Sequence, residues 1–185
     1  MENKDSSILQ LFKKYRASIL FLVRFLGVYI LGNIVYGFWV VSYGTIADPI
    51  TRIVAKHSSY LLHLVGIGAS ILPSLVEPNV AITLDGNIIV NVYEGCNAIN
   101  VSILFLAFII AYKGSWSRSF VFIFLGLISI YVFNLLRVSG LFLVARYFPN
   151  QLYLMHKFVF TGIIYAFVFL LWFIWVRWVS QKNKS

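Results

Sequence analysis

Charged residues are scarce in this chain, and acidic residues are the scarcest. Only 11% of its 185 residues are charged, with 6 Asp and Glu against 15 Lys and Arg. Soluble domains carry about 25% charged residues, so the composition excludes an ordinary cytosolic enzyme and a disordered tail. The net charge of +9 does not indicate nucleic-acid binding either, because the basic residues form no dense patch. They flank apolar runs, as the positive-inside rule expects of a membrane protein.

Cysteine is almost absent as well. The single cysteine, Cys96, excludes an internal disulfide framework and a cysteine-rich metal site, and we expect neither a cofactor nor a metal. Hydrophobic residues, in contrast, make up 61% of the chain. The sequence contains no repeats, low-complexity segments or linkers. It therefore predicts a single integral membrane domain over residues 1–185.

Four apolar runs are predicted to span the membrane, since about 20 apolar residues cross about 30 Å of hydrocarbon. They cover approximately residues 18–42, 97–113, 119–137 and 157–178. Basic residues precede the first run and follow the last, and Lys113 and Arg118 lie between the second and third. Both termini and this loop are therefore expected to be cytoplasmic. The first run is too long for a signal peptide and is expected to remain as an anchor.

The segment 53–72 is more polar in its first half, where it contains Lys56, His57 and His63. We interpret it as an interfacial or re-entrant helix on the outer face. Four of the six acids lie between the first span and Cys96, which agrees with an outer location. The alternative is a fifth span, which would reverse the orientation of everything that follows.

A change of period after Pro78 predicts a short β-hairpin over about 80–92. Apolar residues alternate with polar or small ones on both sides of Asp85-Gly86, a pair typical of tight hairpin turns. The hairpin is expected outside the hydrocarbon, because lipid does not tolerate unpaired strand edges. The predicted fold is thus an all-α polytopic membrane protein of about four transmembrane helices, with an outer interfacial or re-entrant helix and an extracytoplasmic β-hairpin.

Three polar residues are predicted to meet at the outer ends of the spans: Cys96, Arg137 and His156. Cys96 precedes a predicted helix for which Asn97 is a suitable N-cap. The helix dipole lowers the pKa of such a thiol and Glu94 raises it, so the sign of the shift stays open. Taken singly, each of the three residues also has a structural explanation. Together they provide a nucleophile, an oxyanion clamp and a proton carrier, as acyl transfer requires.

Two other histidines compete with His156 for the role of proton carrier. His57 and His63 are nearer to Cys96 in sequence. They belong to the predicted interfacial helix, however, where a polar helix face explains them. His156 is preferred because it begins a rigid span at the predicted outer face.

The segments YEGCNAIN and NLLRVSGLFLVARY, followed by a histidine at the head of the last span, resemble the exosortase/archaeosortase family of membrane cysteine transpeptidases. The small, four-span form most resembles the exosortase F branch of Bacteroidetes, and the resemblance covers about residues 61–178. It departs from larger family members at Asn97, where those commonly have Ser or Ala, and in lacking their additional N-terminal spans.

The resemblance implies a catalytic set of Cys96 as nucleophile, Arg137 as the group that stabilises the oxyanion or positions the substrate, and His156 as general acid and base. It implies that the partners are exported proteins with a C-terminal motif, a membrane helix and a basic tail. The expected location is the bacterial inner membrane, with the site on the periplasmic side. An alternative is a non-catalytic scaffold or accessory subunit of a secretion or polysaccharide-export system, whose glycines provide packing surfaces.

Overall fold

The computed structural model describes residues 2–112, 114 and 116–182, with side chains described between residues 13 and 179 of these ranges. Lys113, part of the predicted cytoplasmic loop, lies outside the described residues. The helices are α1 (Glu2–Val41), α2 (Pro49–Leu64), α3 (Ile99–Ala111), α4 (Trp116–Tyr147), α5 (Leu152–Leu154) and α6 (Phe160–Lys182). The strands are β1 (Ser70–Pro73), β2 (Asn79–Leu84) and β3 (Asn87–Tyr93).

Three helical runs of the described chain are long and apolar enough to cross a bilayer. They are Lys13–Val41, Trp116–Tyr147 and Pro149–Val179. The predicted span 97–113 corresponds to α3, which has 13 residues and extends about 20 Å at 1.5 Å per residue. That is about two thirds of the hydrocarbon thickness. The protein is a helical membrane protein, and a count of four spans stays a prediction.

The short helix α3 lies among the three long helices and packs against α1, α4 and α6. Its Phe105 and Ile109 are fully buried with Ile130 of α4 and Trp175 of α6. Helix α4 approaches closely because residue 126 is glycine: a Cβ atom there would lie 2.3 Å from Cζ of Phe105. Small residues at such positions let transmembrane helices pack tightly.

Helix α2 ends earlier than predicted, and this corrects the interfacial helix proposed over 53–72. It ends at Leu64, where Gly66 at φ +82° follows it. The Gly66 and Ile67 N–H groups donate to the carbonyls of His63 and Leu62 at 3.0 Å, which is the Schellman pattern that glycine favours. Residues 70–73 then form β1, a strand that the sequence analysis did not predict.

The predicted hairpin is therefore part of a three-stranded antiparallel sheet with the order β1-β2-β3. Strands β2 and β3 join through Asp85 and Gly86, both at positive φ, as a type I′ turn requires. Helix α2 packs on this sheet, and together they enclose a second core that includes Val54, Leu62 and Ile82.

Helix α4 connects the two cores because it is about 48 Å long for its 32 residues. Ile130, in its middle, belongs to the core of the helical bundle, whereas Val138 and Phe142 belong to the core under the sheet. Cys96 lies in this second core and Ala98 in the first. The turn that contains the cysteine therefore lies where the bundle meets the sheet.

Candidate active site

Cys96 lies on the short connection between β3 and α3. Residues Glu94–Cys96 form one turn of 3-10 helix, and the thiol residue is only 4% exposed. Gly95 is needed for a close approach, since a Cβ atom there would lie 2.7 Å from Cε2 of Tyr93. The connection continues through Ala98, whose φ of +64° is in the left-handed region. The thiol is thus held on a compact turn with an uncommon backbone conformation.

His156 faces the thiol from the start of the last long helix. Its Nε2 atom lies 3.7 Å from Cys96 Sγ. The histidine belongs to a π-helical turn, Met155–Val159, and its carbonyl accepts a hydrogen bond from the Thr161 hydroxyl at 2.9 Å. π-helical turns are rare in proteins, and those that occur are often found at functional sites. The structure thus brings together two residues that are 60 positions apart in the sequence.

Arg137 is buried on α4 with 8% of its surface exposed. Its positive charge lowers the pKa of the Cys96 thiol. Its Nε–H has no hydrogen-bond partner among the described residues. A buried donor without a partner is costly to the fold. Arg137 does not line the cavity beside Cys96 described below, but it is one helical position from Val138, which does.

The pKa of the Cys96 thiol is raised above its ordinary value because the residue is buried. The Arg137 charge and hydrogen bonding from Tyr93 lower it, and the Glu94 charge raises it, but burial dominates. Burial therefore outweighs the helix-start and Glu94 effects that the sequence left in balance. The thiol is protonated at neutral pH and needs a neighbouring base to become a nucleophile. His156 is the titratable side chain in that position.

Asn134, which the sequence analysis did not single out, holds the backbone of Cys96. Its Nδ2 donates to the Cys96 carbonyl at 2.8 Å, and its side chain is fully buried. One signal in the sequence pointed to it: Asn134 is three residues before Arg137 in an apolar helix, and residues at this spacing share a helix face. Helix α4 thus fixes the cysteine turn through Asn134.

A second set of hydrogen bonds anchors the turn to α1 and α2. Asn97 Nδ2 donates to the Tyr36 hydroxyl at 2.7 Å and to Thr51 Oγ1 at 3.0 Å. The Thr51 hydroxyl in turn donates to the carboxylate of Asp48, which caps α2. The predicted N-cap role of Asn97 is wrong, because Ala98 occupies the N-cap position of α3. Asn97 instead accepts a hydrogen bond from the Ile99 N–H at 3.0 Å.

The two competing histidines are engaged elsewhere or exposed. His57 Nδ1 lies 2.6 Å from the Tyr131 hydroxyl, so it pairs with α4 and not with Cys96. His63 is exposed at the end of α2. Of the three histidines in the chain, His156 is therefore the one that contacts the thiol.

A cavity of about 440 Å³ opens beside the thiol–imidazole pair. Cys96 and His156 belong to its wall, and most other lining residues are apolar. They are Ile88, Ile89, Val90, Asn91, Val92, Val138, Leu141, Leu152 and Tyr153. Its size is in the range of sites that bind small molecules or side chains. Among the described residues, no group of three or more His, Cys, Asp or Glu side chains is placed to hold a metal ion.

The fold and the site together define a class: a helical integral membrane protein with a buried thiol, a neighbouring imidazole and a free guanidinium donor. A thiol next to an imidazole is an arrangement that can support nucleophilic attack on a carbonyl carbon.

Comparison with known families identifies the chain more narrowly. Residues 12–176 match the family described as transmembrane exosortase, and the chain belongs to that family. Members are membrane transpeptidases that act on exported proteins with C-terminal sorting signals. Neither the curated proteins nor the solved structures give a match. The predicted family is confirmed, and the assignment to the F branch stays a prediction.

Proposed function

We propose that this chain is a membrane-embedded cysteine transpeptidase or protease that cleaves the C-terminal sorting signals of exported proteins through a thioester on Cys96. The observation that carries the proposal is the pairing of Cys96 Sγ with His156 Nε2 at 3.7 Å. The membership of the chain in the exosortase family supports it independently.

In the proposed reaction, His156 accepts the thiol proton while Cys96 Sγ attacks the carbonyl carbon of the scissile peptide bond. The carbonyl oxygen becomes an oxyanion, which the guanidinium of Arg137 stabilises. His156 then donates its proton to the nitrogen of the leaving amine, and the C–N bond breaks to leave a thioester on Cys96. An acceptor amine, hydroxyl or water loses a proton to His156, attacks the thioester and regenerates the thiol.

The free Nε–H of Arg137 supports this division of roles. It is a buried donor with no partner among the described residues, and an oxyanion that develops nearby would provide one. Its charge also acts on the Cys96 pKa. A side chain that stabilises charge only as the oxyanion forms lowers the barrier more than it tightens substrate binding.

The proposed orientation places the sheet and the site on the periplasmic side of the bacterial inner membrane, with both termini in the cytoplasm. The substrate's membrane helix would then lie within the bilayer and its basic tail in the cytoplasm. Two positions that are each 88% exposed test this arrangement, Leu75 before β2 and Trp116 at the start of α4. In a Cys96→Ser chain, Leu75→Cys should react with a membrane-impermeant thiol reagent in intact cells. Trp116→Cys should react only after permeabilisation, and the reverse pattern would overturn the orientation.

Processing of a co-expressed exported protein that carries a C-terminal sorting signal tests the function itself. Cys96→Ala, Arg137→Ala and His156→Ala should each accumulate the unprocessed form. The exposed His63→Ala is the matched control and should process normally. Native processing by the Cys96→Ala chain would contradict the proposal and favour the non-catalytic scaffold.

A further inference from the structure

The strand that leads to Cys96 has one free edge, since no strand within residues 2–112, 114 and 116–182 pairs with it on that side. In the sheet order β1-β2-β3, strand β3 pairs with β2 on one side and is the last strand on the other. Its final residue, Tyr93, precedes the Glu94–Cys96 turn directly. A free edge presents a row of unpaired backbone N–H and C=O groups that an extended chain can bind. This edge ends beside the candidate nucleophile.

The hydrogen-bond pattern shows which residues present their backbone groups at this edge. The Ser74 N–H donates to the Asn79 carbonyl at 3.1 Å, so this carbonyl points toward β1, and the Asn79 N–H donates to the Glu77 carbonyl at 2.7 Å and not to β3. Asn79 is opposite Tyr93 in the β2–β3 register, and Ala81 is opposite Asn91. Because opposite residues of an antiparallel pair either exchange both hydrogen bonds or exchange none, Tyr93 and Asn91 direct their N–H and C=O groups away from β2.

The cavity described above follows this edge. Five consecutive residues of β3, 88–92, line it. The register shift leaves Ile89 without a partner on β2, so strict alternation is expected only over residues 90–92. A cavity on one face would be lined by every second residue there, because successive side chains point to opposite faces, yet all three line it. Leu152, Tyr153 and His156 line the cavity as well, and Cys96 belongs to its wall. The space is therefore a cleft along the edge of β3 that contains the thiol–imidazole pair.

We propose that the substrate's recognition segment binds as a fourth strand on the free edge of β3, pairing with the backbone of Asn91 and the carbonyl of Tyr93 and delivering its scissile carbonyl to Cys96. The Tyr93 N–H is left out of this pairing because it hydrogen-bonds to Cys96. This proposal rests on the proposed function, since it names how the cleaved polypeptide is held. Backbone pairing of this kind supplies affinity, and pockets for alternate side chains supply specificity.

The apolar residues of the cleft indicate what the alternate side chains are. Val138 and Leu141 of α4 and Leu152 of α5 line the cavity next to the strand. Every second side chain of an added strand would point toward these residues. The expected substrate segment is thus extended and contains an apolar residue at alternate positions near the cleavage point.

Cross-linking between single cysteines tests the proposal, and it is simplified because Cys96 is the chain's only cysteine. The reporter chain carries Cys96→Ser and Asn91→Cys. The probe is an exported protein with a C-terminal sorting signal that the native chain processes, with a single cysteine moved residue by residue upstream of the cleavage point. Leu72→Cys on β1, the opposite edge of the same sheet and also exposed, is the matched control.

Strand addition predicts disulfides from Asn91→Cys that alternate with a period of two along the probe, and at most background from Leu72→Cys. A period of three to four, equal yields at every position, or an equal signal from Leu72→Cys would overturn it. A proline scan of the probe with the unaltered chain provides a second readout, in which processing should fall at alternate positions. The native chain must process the unmodified probe and Cys96→Ala must not, so failure of strand addition is distinguishable from failure of the proposed function.

Discussion

Replacing His156 by alanine is expected to lower substrate processing by about 10²–10⁴-fold, the contribution typical of a general acid–base residue. The reason is that the Cys96 thiol is mostly protonated at neutral pH and needs a base. Burial raises the pKa of Cys96 above its ordinary value, and a thiol with a pKa above about 8.5 is less than about 3% thiolate at pH 7. With Nε2 at 3.7 Å from the sulfur, His156 can remove the proton during attack. Without it, only the small thiolate fraction reacts.

The pH dependence of the residual activity provides a signature that a loss of folding would not. The thiolate fraction rises about tenfold per pH unit as long as the pH is below the thiol pKa. Since burial raises the pKa of Cys96, His156→Ala should gain activity steadily from about pH 6 to about pH 9. The native chain should depend less steeply on pH over this range, because the imidazole accepts the proton. Gel-shift assays of the cleaved exported protein in detergent measure both profiles.

His57→Ala is the matched control for this experiment. His57 lies on α2 and pairs with the Tyr131 hydroxyl at 2.6 Å, not with the thiol. Its removal should leave processing within about twofold of native, on the scale of a surface substitution. Native activity in His156→Ala, or a flat pH profile for its residual activity, would refute the assignment of His156 as the base.

Three further substitutions test separate parts of the account. Arg137→Gln should lower the single-turnover rate by about 10²–10³-fold, the usual cost of losing an oxyanion donor; an unchanged rate would contradict that role. Gly126→Ala should destabilise the protein by about 1–3 kcal/mol, because the added Cβ would lie 2.3 Å from Phe105. Gly37→Ala is the control, since a Cβ there meets nothing within 4 Å. Equal melting temperatures of the two variants in detergent would contradict the packing. Asn97→Ala should cost about 1–3 kcal/mol in urea unfolding, since it removes the hydrogen bonds to Tyr36 and Thr51. A loss no larger than that of Ser42→Ala, an exposed residue whose hydroxyl bonds, among the described residues, only to the Trp39 carbonyl, would contradict the anchoring.

Of the three predicted site residues, the structure brings Cys96 and His156 within 3.7 Å of each other, and their catalytic roles, with that of Arg137, stay predictions. Cys96, Arg137 and His156 were identifiable because polar side chains are rare in apolar runs and expensive in the membrane. Their meeting depended on a topology that charge placement predicts. The supporting hydrogen bonds were not predictable, because Asn134, Thr51 and Tyr36 reach the cysteine turn across 38, 46 and 61 residues.

The end of α2 and the strand β1 were not predicted from the sequence, for a different reason. Apolar character continues through 61–72, so hydropathy favoured one long helix, but the Schellman turn at Gly66 ends it. Strand β1 has four residues and no alternating pattern of burial; its pairing with β2 defines it. Short strands of this kind depend on their partner strand for stability. The residues of β1 alone do not show that β2 pairs with them.

The direction of the shift in the pKa of Cys96 could not be predicted from the sequence, because it too depends on contacts between distant parts of the chain. Local features, the helix start and Glu94, act in opposite directions. Burial decides the outcome, and it arises from the packing of α4 and the sheet around the turn. The free edge of β3 likewise became visible only with the strand order.

The central claim is that Cys96 forms a covalent thioester with the substrate. Mixing the native chain with the exported substrate, quenching with acid and analysing the chain by mass spectrometry measures this directly. The account predicts an adduct on Cys96 equal to the upstream substrate fragment as an acyl group, which neutral hydroxylamine releases and Cys96→Ala lacks. Cleavage of the substrate by the Cys96→Ala chain at the native rate would contradict the account.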